Sequence, residues 1–288
     1  MGIFKLFLKG ISTTNKNFKI IIYLWVINFL FSLMLVTPIY ILIHRNISKS
    51  LMGDNLVQRF DLFWLGDTIY RFQNLAPTLT GWLIAPAIIY LLLYIFLHGG
   101  IIGRLNVPYE KVTLRNFFSD CGQYFWRFFK LFLISILGYL LFLGVIYRLI
   151  GLFLGVFTKN AVTEWPLIIV SNLKIIIFIV FFTIVTMFFD YAKIRLVVSD
   201  SKKVLKETLF TLNFLIQRFF KAWGLYLLIG LVTLIFAVIY MEIAHLLPKN
   251  HILLILAVFI WQQIYILSRM WTKLIFYASQ IELYRYYI

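Results

Sequence analysis

Cysteine is almost absent from this chain: Cys121 is the one thiol in 288 residues. A single cysteine excludes an internal disulfide and any zinc or iron–sulfur site built from cysteines. Carboxylates are scarce too, 11 Asp and Glu against 27 Lys and Arg. There is no Walker motif, no Gly-x-Ser-x-Gly, no histidine cluster and no pair of carboxylates at one depth. Acid–base and nucleophilic catalysis need groups within reach of one another, so the pattern predicts a chain that is not an enzyme and needs no cofactor. Charged residues of both signs make up only 13% of the sequence, hydrophobic residues 62%, and the mean hydropathy is +0.93. A soluble domain of this size could not hide that much apolar surface.

What fills the chain instead is six long apolar runs, at 20–43, 79–102, 131–157, 167–189, 223–247 and 252–276. A bilayer core about 30 Å thick needs roughly 20 apolar residues per crossing helix. Barrel strands would be shorter and would alternate apolar with polar residues. Runs such as IIIFIVFFTIV do not alternate, so the expected fold is an all-α polytopic membrane bundle of six transmembrane helices in a single domain, 1–288. The first run starts late for a signal peptide and is too long for one, and no small-residue cleavage site follows it. The N-terminal segment is therefore expected to be retained.

The net charge of +16 would suggest nucleic acid in a soluble protein. Here the cations flank membrane spans, where they set orientation and meet anionic headgroups. Lys5, Lys9, Lys16 and Lys19 precede the first span. Arg104, Lys111, Arg115, Arg127 and Lys130 fill the second gap. Lys193, Arg195, Lys202, Lys203, Lys206, Arg218 and Lys221 fill the fourth, and Arg269, Lys273 and Arg285 lie toward the C-terminus. The opposite side holds only Arg45, Lys49, Arg59, Arg71, Lys159 and Lys249. The positive-inside rule places both termini in the cytoplasm. Membrane lipids, and other membrane proteins, are the expected partners; no nucleic-acid motif is present.

The chain reads as three copies of one plan, 1–103, 104–189 and 190–288, each a basic amphipathic segment followed by two spans. The segments end alike, in NKNFK at 15–19, WRFFK at 126–130 and QRFFK at 217–221. Either an ancestral repeat or convergence of interfacial segments accounts for this. In the third, Asp200 or Ser201 is placed to cap a helix. Val204, Leu205, Thr208, Leu209, Leu212, Leu215, Ile216 and Phe219 then recur at helical spacing. Lys202, Lys203, Lys206 and Arg218 fall largely off that stripe, as in a helix lying in the headgroup plane. Such a face either docks lipid or a partner, or is an elbow that positions the next span. Residues 114–128 repeat the pattern with Leu114, Phe117, Phe118, Cys121, Tyr124, Phe125 and Phe128, and 3–11 is a shorter version. The first outer loop, 44–78, carries Phe60, Phe63 and Trp64 on one helical face, a candidate outer cap or a surface anchor.

Charges inside spans cost roughly 2.5–3.5 kcal/mol each at the centre, so they carry information. Arg148, Lys174, Glu242 and His245 fall at a similar outer depth, reckoned at ~1.5 Å per residue. They could pair, or line an outward polar cavity for an anion or lipid headgroup; alternatively the cations snorkel. Glu242-Met-Ile-His245 has the Glu-x-x-His spacing of carboxylate di-metal bundles. Those need a second copy and further carboxylates, which are missing, so no metal is expected. His98-Gly99-Gly100 and Gly151-x-x-x-Gly155 read as close helix packing. Asp190 and Lys193 have i,i+3 spacing. Pro38 and Pro86 are expected to interrupt spans one and two near their outer ends.

RNFFSDCGQYFWRFFKLFLISILGYLLF at 115–142, FDYAKIRLVVSDSKKVLKETLFTLNFLIQRFFKAWGLYLL at 189–228 and ISKSLMGDNLVQRFDLFWLGD at 47–67 together resemble a family of uncharacterised six-span bacterial integral membrane proteins. The second stretch is also similar to the membrane domain that accompanies some bacterial glycerophosphodiester phosphodiesterases. The resemblance implies a bacterial inner membrane. It carries over no catalytic residue, because the soluble phosphodiesterase domain is not here. The expected function is a non-catalytic scaffold or assembly partner in a membrane complex. The alternative is a transporter or lipid-handling protein with an outward-facing polar cavity.

Overall fold

The apolar runs fold as helices that extend well past the runs themselves. The computed structural model describes residues 2–47, 66, 70, 76–107, 111–159, 163–247 and 252–287, without the side chains of 38, 39, 42, 43, 45–47 and 76–83. In chain order the helices are α1 (Ile3–Lys16), α2 (Phe18–Ile47), α3 (Ala76–Asn106), α4 (Leu114–Leu141), α5 (Tyr147–Gly155), α6 (Trp165–Val198), α7 (Val204–Leu246) and α8 (Ile252–Tyr287). A π-helical turn, Phe142–Ile146, joins α4 to α5 as one continuous span, and a 3-10 turn, Val156–Thr158, follows it. No strand occurs among the described residues. Six stretches are long and apolar enough to cross a bilayer: Phe18–Thr37, Ile84–Asn106, Leu114–Thr158, Trp165–Val198, Val204–Leu246 and Ile252–Tyr287. The chain is an all-α, multi-pass membrane protein. The aromatic loop residues Phe60, Phe63 and Trp64 lie outside the described residues.

The three basic segments enter their spans in three different ways. Between α1 and α2 the helix breaks at Asn17 (φ −104°, ψ 28°), whose side-chain amide donates to Thr13 O at 2.8 Å. The same carbonyl also accepts the Asn17 backbone N–H at 3.2 Å, so Asn17 closes the helix end with both its groups. Within α7 the helix bends at Arg218 (φ −127°, ψ 24°). In α4 the amphipathic half runs on into the span without a break; Thr113 caps its start by accepting from the Asn116 amide at 3.2 Å. α2 and α3 continue through Pro38 and Pro86, contrary to the expected interruptions. A proline removes one ladder bond, and the bonds on either side carry the helix on.

The helices distribute over two compact units, Met1–Asn17, His98–Val232 and Thr272–Ile288 in the first, Phe18–Leu97 and Thr233–Trp271 in the second. The second unit is tied by polar side chains set in apolar helices. Tyr90 on α3 donates to Asn28 Oδ1 on α2 at 2.7 Å, and Trp25 Nε1 on α2 donates to Gln263 Oε1 on α8 at 3.0 Å. Tyr240 on α7 stacks on Tyr265 of α8 with ring centres 4.2 Å apart. Hydrogen bonds of this kind between membrane helices contribute about 0.6 kcal/mol each on average, so they set register more than stability.

In the first unit α3 and α4 approach backbone to backbone. A Cβ added to Gly99 would lie 3.1 Å from the carbonyls of Asp120 and Cys121, and one on Gly100 would lie 2.5 Å from Cys121 Sγ. α4 then meets α6 along an aromatic seam. Phe189 presses on Gly138, Tyr139 hydrogen-bonds Thr186 at 3.2 Å, and Phe142 stacks on Phe178 and Phe181. Buried aromatic pairs contribute about 0.5–1.5 kcal/mol beyond their area, which suits a seam built where burial from lipid offers no hydrophobic gain.

Candidate functional site: a polar hub at the end of the last helix

The last three turns of α8 carry a mixed sequence, YASQIELYRYY, that reads as a polar tail after the final span. The structure buries its first two turns. Tyr277, Ala278, Ser279, Gln280, Ile281, Leu283 and Tyr284 are all buried, while Arg285 and Tyr286 at the end are exposed. Helices α1, α6 and α7 and the second half of α3 surround the stretch.

Each neighbour is held by a particular contact. On α1, Gly10 lies directly against Ser279, and Lys9 reaches Glu282 at 3.6 Å. On α3, His98 stands edge-on to Tyr277 with ring centres 5.7 Å apart, and Arg285 donates to the backbone and side-chain carbonyls of Asn106. On α6, Asp190 accepts from Lys193 at 2.9 Å and from the Tyr277 hydroxyl at 3.4 Å. On α7, Phe214 packs edge-on to Tyr284, Tyr226 meets Phe276, and Lys221 donates to the Tyr287 hydroxyl. The guanidinium of Arg218 lies 4.3 Å from the centre of the Tyr287 ring. Cation–π contact with a terminal tyrosine thus accompanies the bend in α7.

Two further ion pairs brace the helices around the hub. Arg104 on α3 pairs with Asp120 on α4, both residues 8% exposed. Arg195 on α6 pairs with Glu207 on α7 at 2.6 Å and also lies 4.8 Å from the Phe210 ring centre. At the α6–α7 turn, Asp200 takes a left-handed φ of 45° and accepts from Arg127 at 2.6 Å, while Ser201 accepts from the Lys203 amide. The scarce carboxylates Asp120, Asp190, Asp200, Glu207 and Glu282 are therefore each committed to a cation in this one unit. Thr14, Tyr191, Ser279 and Gln280 add buried polar atoms that have no protein hydrogen-bond partner among the described residues, Gln280 at 1% exposure. Buried water commonly completes such groups.

The residues singled out by sequence fall elsewhere. Arg148 on α5 is exposed and Lys174 on α6 half-buried, while Glu242 and His245 on α7 are exposed. Among the described residues none of the four forms an ion pair or a side-chain hydrogen bond. Asp190 and Lys193 do pair, but Arg195, one turn on, pairs across to α7 rather than back to Asp190. No three His, Cys, Asp or Glu side chains gather as a metal-ligand set among the described residues. Gly99, Gly100 and Gly103 serve helix packing, whereas Gly151 and Gly155 face open space.

The amphipathic stripes divide in two. On α7, Val204, Glu207, Thr208, Thr211 and Leu215 are buried. Leu205, Leu209, Leu212, Ile216 and Phe220 are exposed, Phe220 at 83%, beside the exposed Lys202, Lys203 and Lys206. On α4, Phe117, Cys121, Tyr124 and Phe128 are buried, while Leu114 and Phe118 are exposed. A stripe wider than about 100° can serve two neighbours. The hub itself was missed by sequence reading. One signal pointed to it: Tyr277, Ile281 and Tyr284 keep i, i+4, i+7 spacing, and no glycine or proline stops α8 after residue 276. No family model, curated protein or solved structure matches this chain.

Proposed function

We propose that this chain is a non-catalytic integral membrane protein, a scaffold or assembly partner in a membrane complex. Its seat is a bacterial inner membrane, with both termini in the cytoplasm. The observation that carries the reading is the hub: its charged side chains are joined to one another across α1, α3, α4, α6, α7 and α8. Such pairing holds helices in fixed relation and presents a stable lateral surface to other membrane proteins. The orientation rests on the excess of lysine and arginine in alternate gaps. The exposed apolar row of α7 with Lys202, Lys203 and Lys206 suits an anionic headgroup layer, where each nearby lysine contributes about 1 kcal/mol.

Co-purification from native membranes in mild detergent, followed by protein and lipid mass spectrometry, tests the scaffold reading. A stoichiometric membrane-protein companion, or a stable assembly of the chain itself, is expected. The reading fails if the chain purifies alone and, in liposomes, moves lipid or solute at rates that depend on Arg148, Lys174 or Glu242. That outcome is the signature of the alternative, a transporter or lipid-handling protein with an outward-facing polar cavity.

A further inference from the structure

Arg148 and Glu242 are opposite charges placed in apolar surroundings with no partner among the described residues. Arg148 stands about 25 Å along the apolar run that starts at residue 131, and Glu242 about 28 Å along the one that starts at residue 223, at ~1.5 Å per residue. Both are exposed. Around Arg148 the exposed surface is Val145, Leu149 and Leu152, and around Glu242 it is Val238, Met241 and Leu246. An unpaired charge amid such side chains at membrane depth is costly, and each has the sign the other lacks.

Their settings differ in shape. Arg148 shares its helix face with Gly151 and Gly155 (i, i+3, i+7), and a Cβ at either glycine would meet nothing within 4 Å. The opposite side of this span is the one in use, with Phe142 and Tyr147 packed on Phe178 of α6. The Arg148 face is therefore a shallow groove with a cation in it. The Glu242 face is a ridge, with Leu231, Leu234, Ile235 and Val238 leading to the carboxylate, all exposed. Small residues in a groove let a second helix approach closely.

We infer that this groove receives a second copy of the chain, the Arg148 face of one protomer taking the Glu242 ridge of the next. This rests on the scaffold reading and names its first partner. Groove and ridge are different surfaces, so the contact is head-to-tail and extends to rings or rows of copies rather than to an isologous pair.

The test is a charge exchange in full-length protein reconstituted in lipid nanodiscs and bilayers, with self-association read by crosslinking and by single-molecule photobleaching. Wild-type protein is expected to associate. Arg148→Glu and Glu242→Arg are each expected to weaken association at least tenfold, and the doubly exchanged chain to recover to within about threefold. The decisive arm mixes two differently tagged copies, one Arg148→Glu and one Glu242→Arg. They should capture each other while neither captures itself, which also shows that both variants fold. A monomeric wild type overturns the inference, as do single variants that associate normally. Recovery in the double variant without recovery in the mixture also overturns it, because the pair then lies within one chain. A monomer that still co-purifies with a different membrane protein sinks this contact and leaves the scaffold reading standing.

Discussion

Replacing Asp120 by alanine is the most direct probe of the ion-paired core. Its carboxylate holds Arg104 where both residues are 8% exposed, and Gly103 lets the two helices close over it, a Cβ there falling 2.7 Å from Asp120 Oδ2. Removing one member of a buried pair costs about 3–5 kcal/mol, because the remaining charge loses its counter-charge. Cys121 supplies the assay: it is the sole thiol, fully buried, and its sulfur sits against Gly100 in the same α3–α4 contact. Maleimide labelling in detergent then reports opening of that contact when closing outruns reaction. At about 1.4 kcal/mol per tenfold, the labelling rate should rise by about 10²–10³·⁵ in Asp120→Ala. Adding Arg104→Met removes the buried cation and should return most of that loss, a coupling of about 2–3 kcal/mol. A rise of less than about fivefold in the single variant falls far below the rate change that breaking a buried ion pair requires. That result, or strict additivity in the double variant, would refute the argument that the pair is buried and essential to the α3–α4 contact.

Gly100→Ala should lower the thermal midpoint in detergent, by about 1–3 kcal/mol of overpacking against Cys121 and Phe117. Gly151→Ala, facing open space, should raise it slightly through the roughly 1 kcal/mol helix preference of alanine. Equal effects would contradict the packing described. Glu207→Gln should destabilise the α6–α7 joint by about 1.5–3 kcal/mol, the range for hydrogen bonds to charged groups. Local hydrogen exchange would show it as faster exchange confined to residues near Arg195. Reporter fusions at either end should behave as cytoplasmic, and an external signal at either end would overturn the orientation. Changing Lys202, Lys203 and Lys206 together to glutamine should cut retained anionic lipid, measured by native mass spectrometry, while neutral lipid stays unchanged.

The six spans were legible because the requirement they meet is local: enough apolar residues in a row to cross hydrocarbon. The Asp190–Lys193 pair was legible for the same reason, since i,i+3 neighbours meet on any helix. Gly99 and Gly100 could be read as packing residues, but the same logic applied to Gly151 and Gly155 pointed to a contact that no described residue of this chain makes. Small residues permit approach without naming what approaches. The apolar stripes of α4 and α7 were read as single faces, and the structure divided each between a buried and an exposed half. Hydrophobicity says that a side chain leaves water and does not say whether protein or lipid receives it.

By itself, then, the sequence determined the class of fold, the number of crossings and the short-range pairs, all set by runs and spacings along one helix. Only tertiary structure decided that the polar end of α8 is a buried hub. Gly10, Asn106, Asp190 and Lys221 lie far from it in sequence: Gly10 makes room for the buried Ser279, Asp190 accepts from the buried Tyr277, and Asn106 and Lys221 hold the more open Arg285 and Tyr287. A polar segment is solvated or buried according to whether partners surround it, and partners at that distance are a property of the fold.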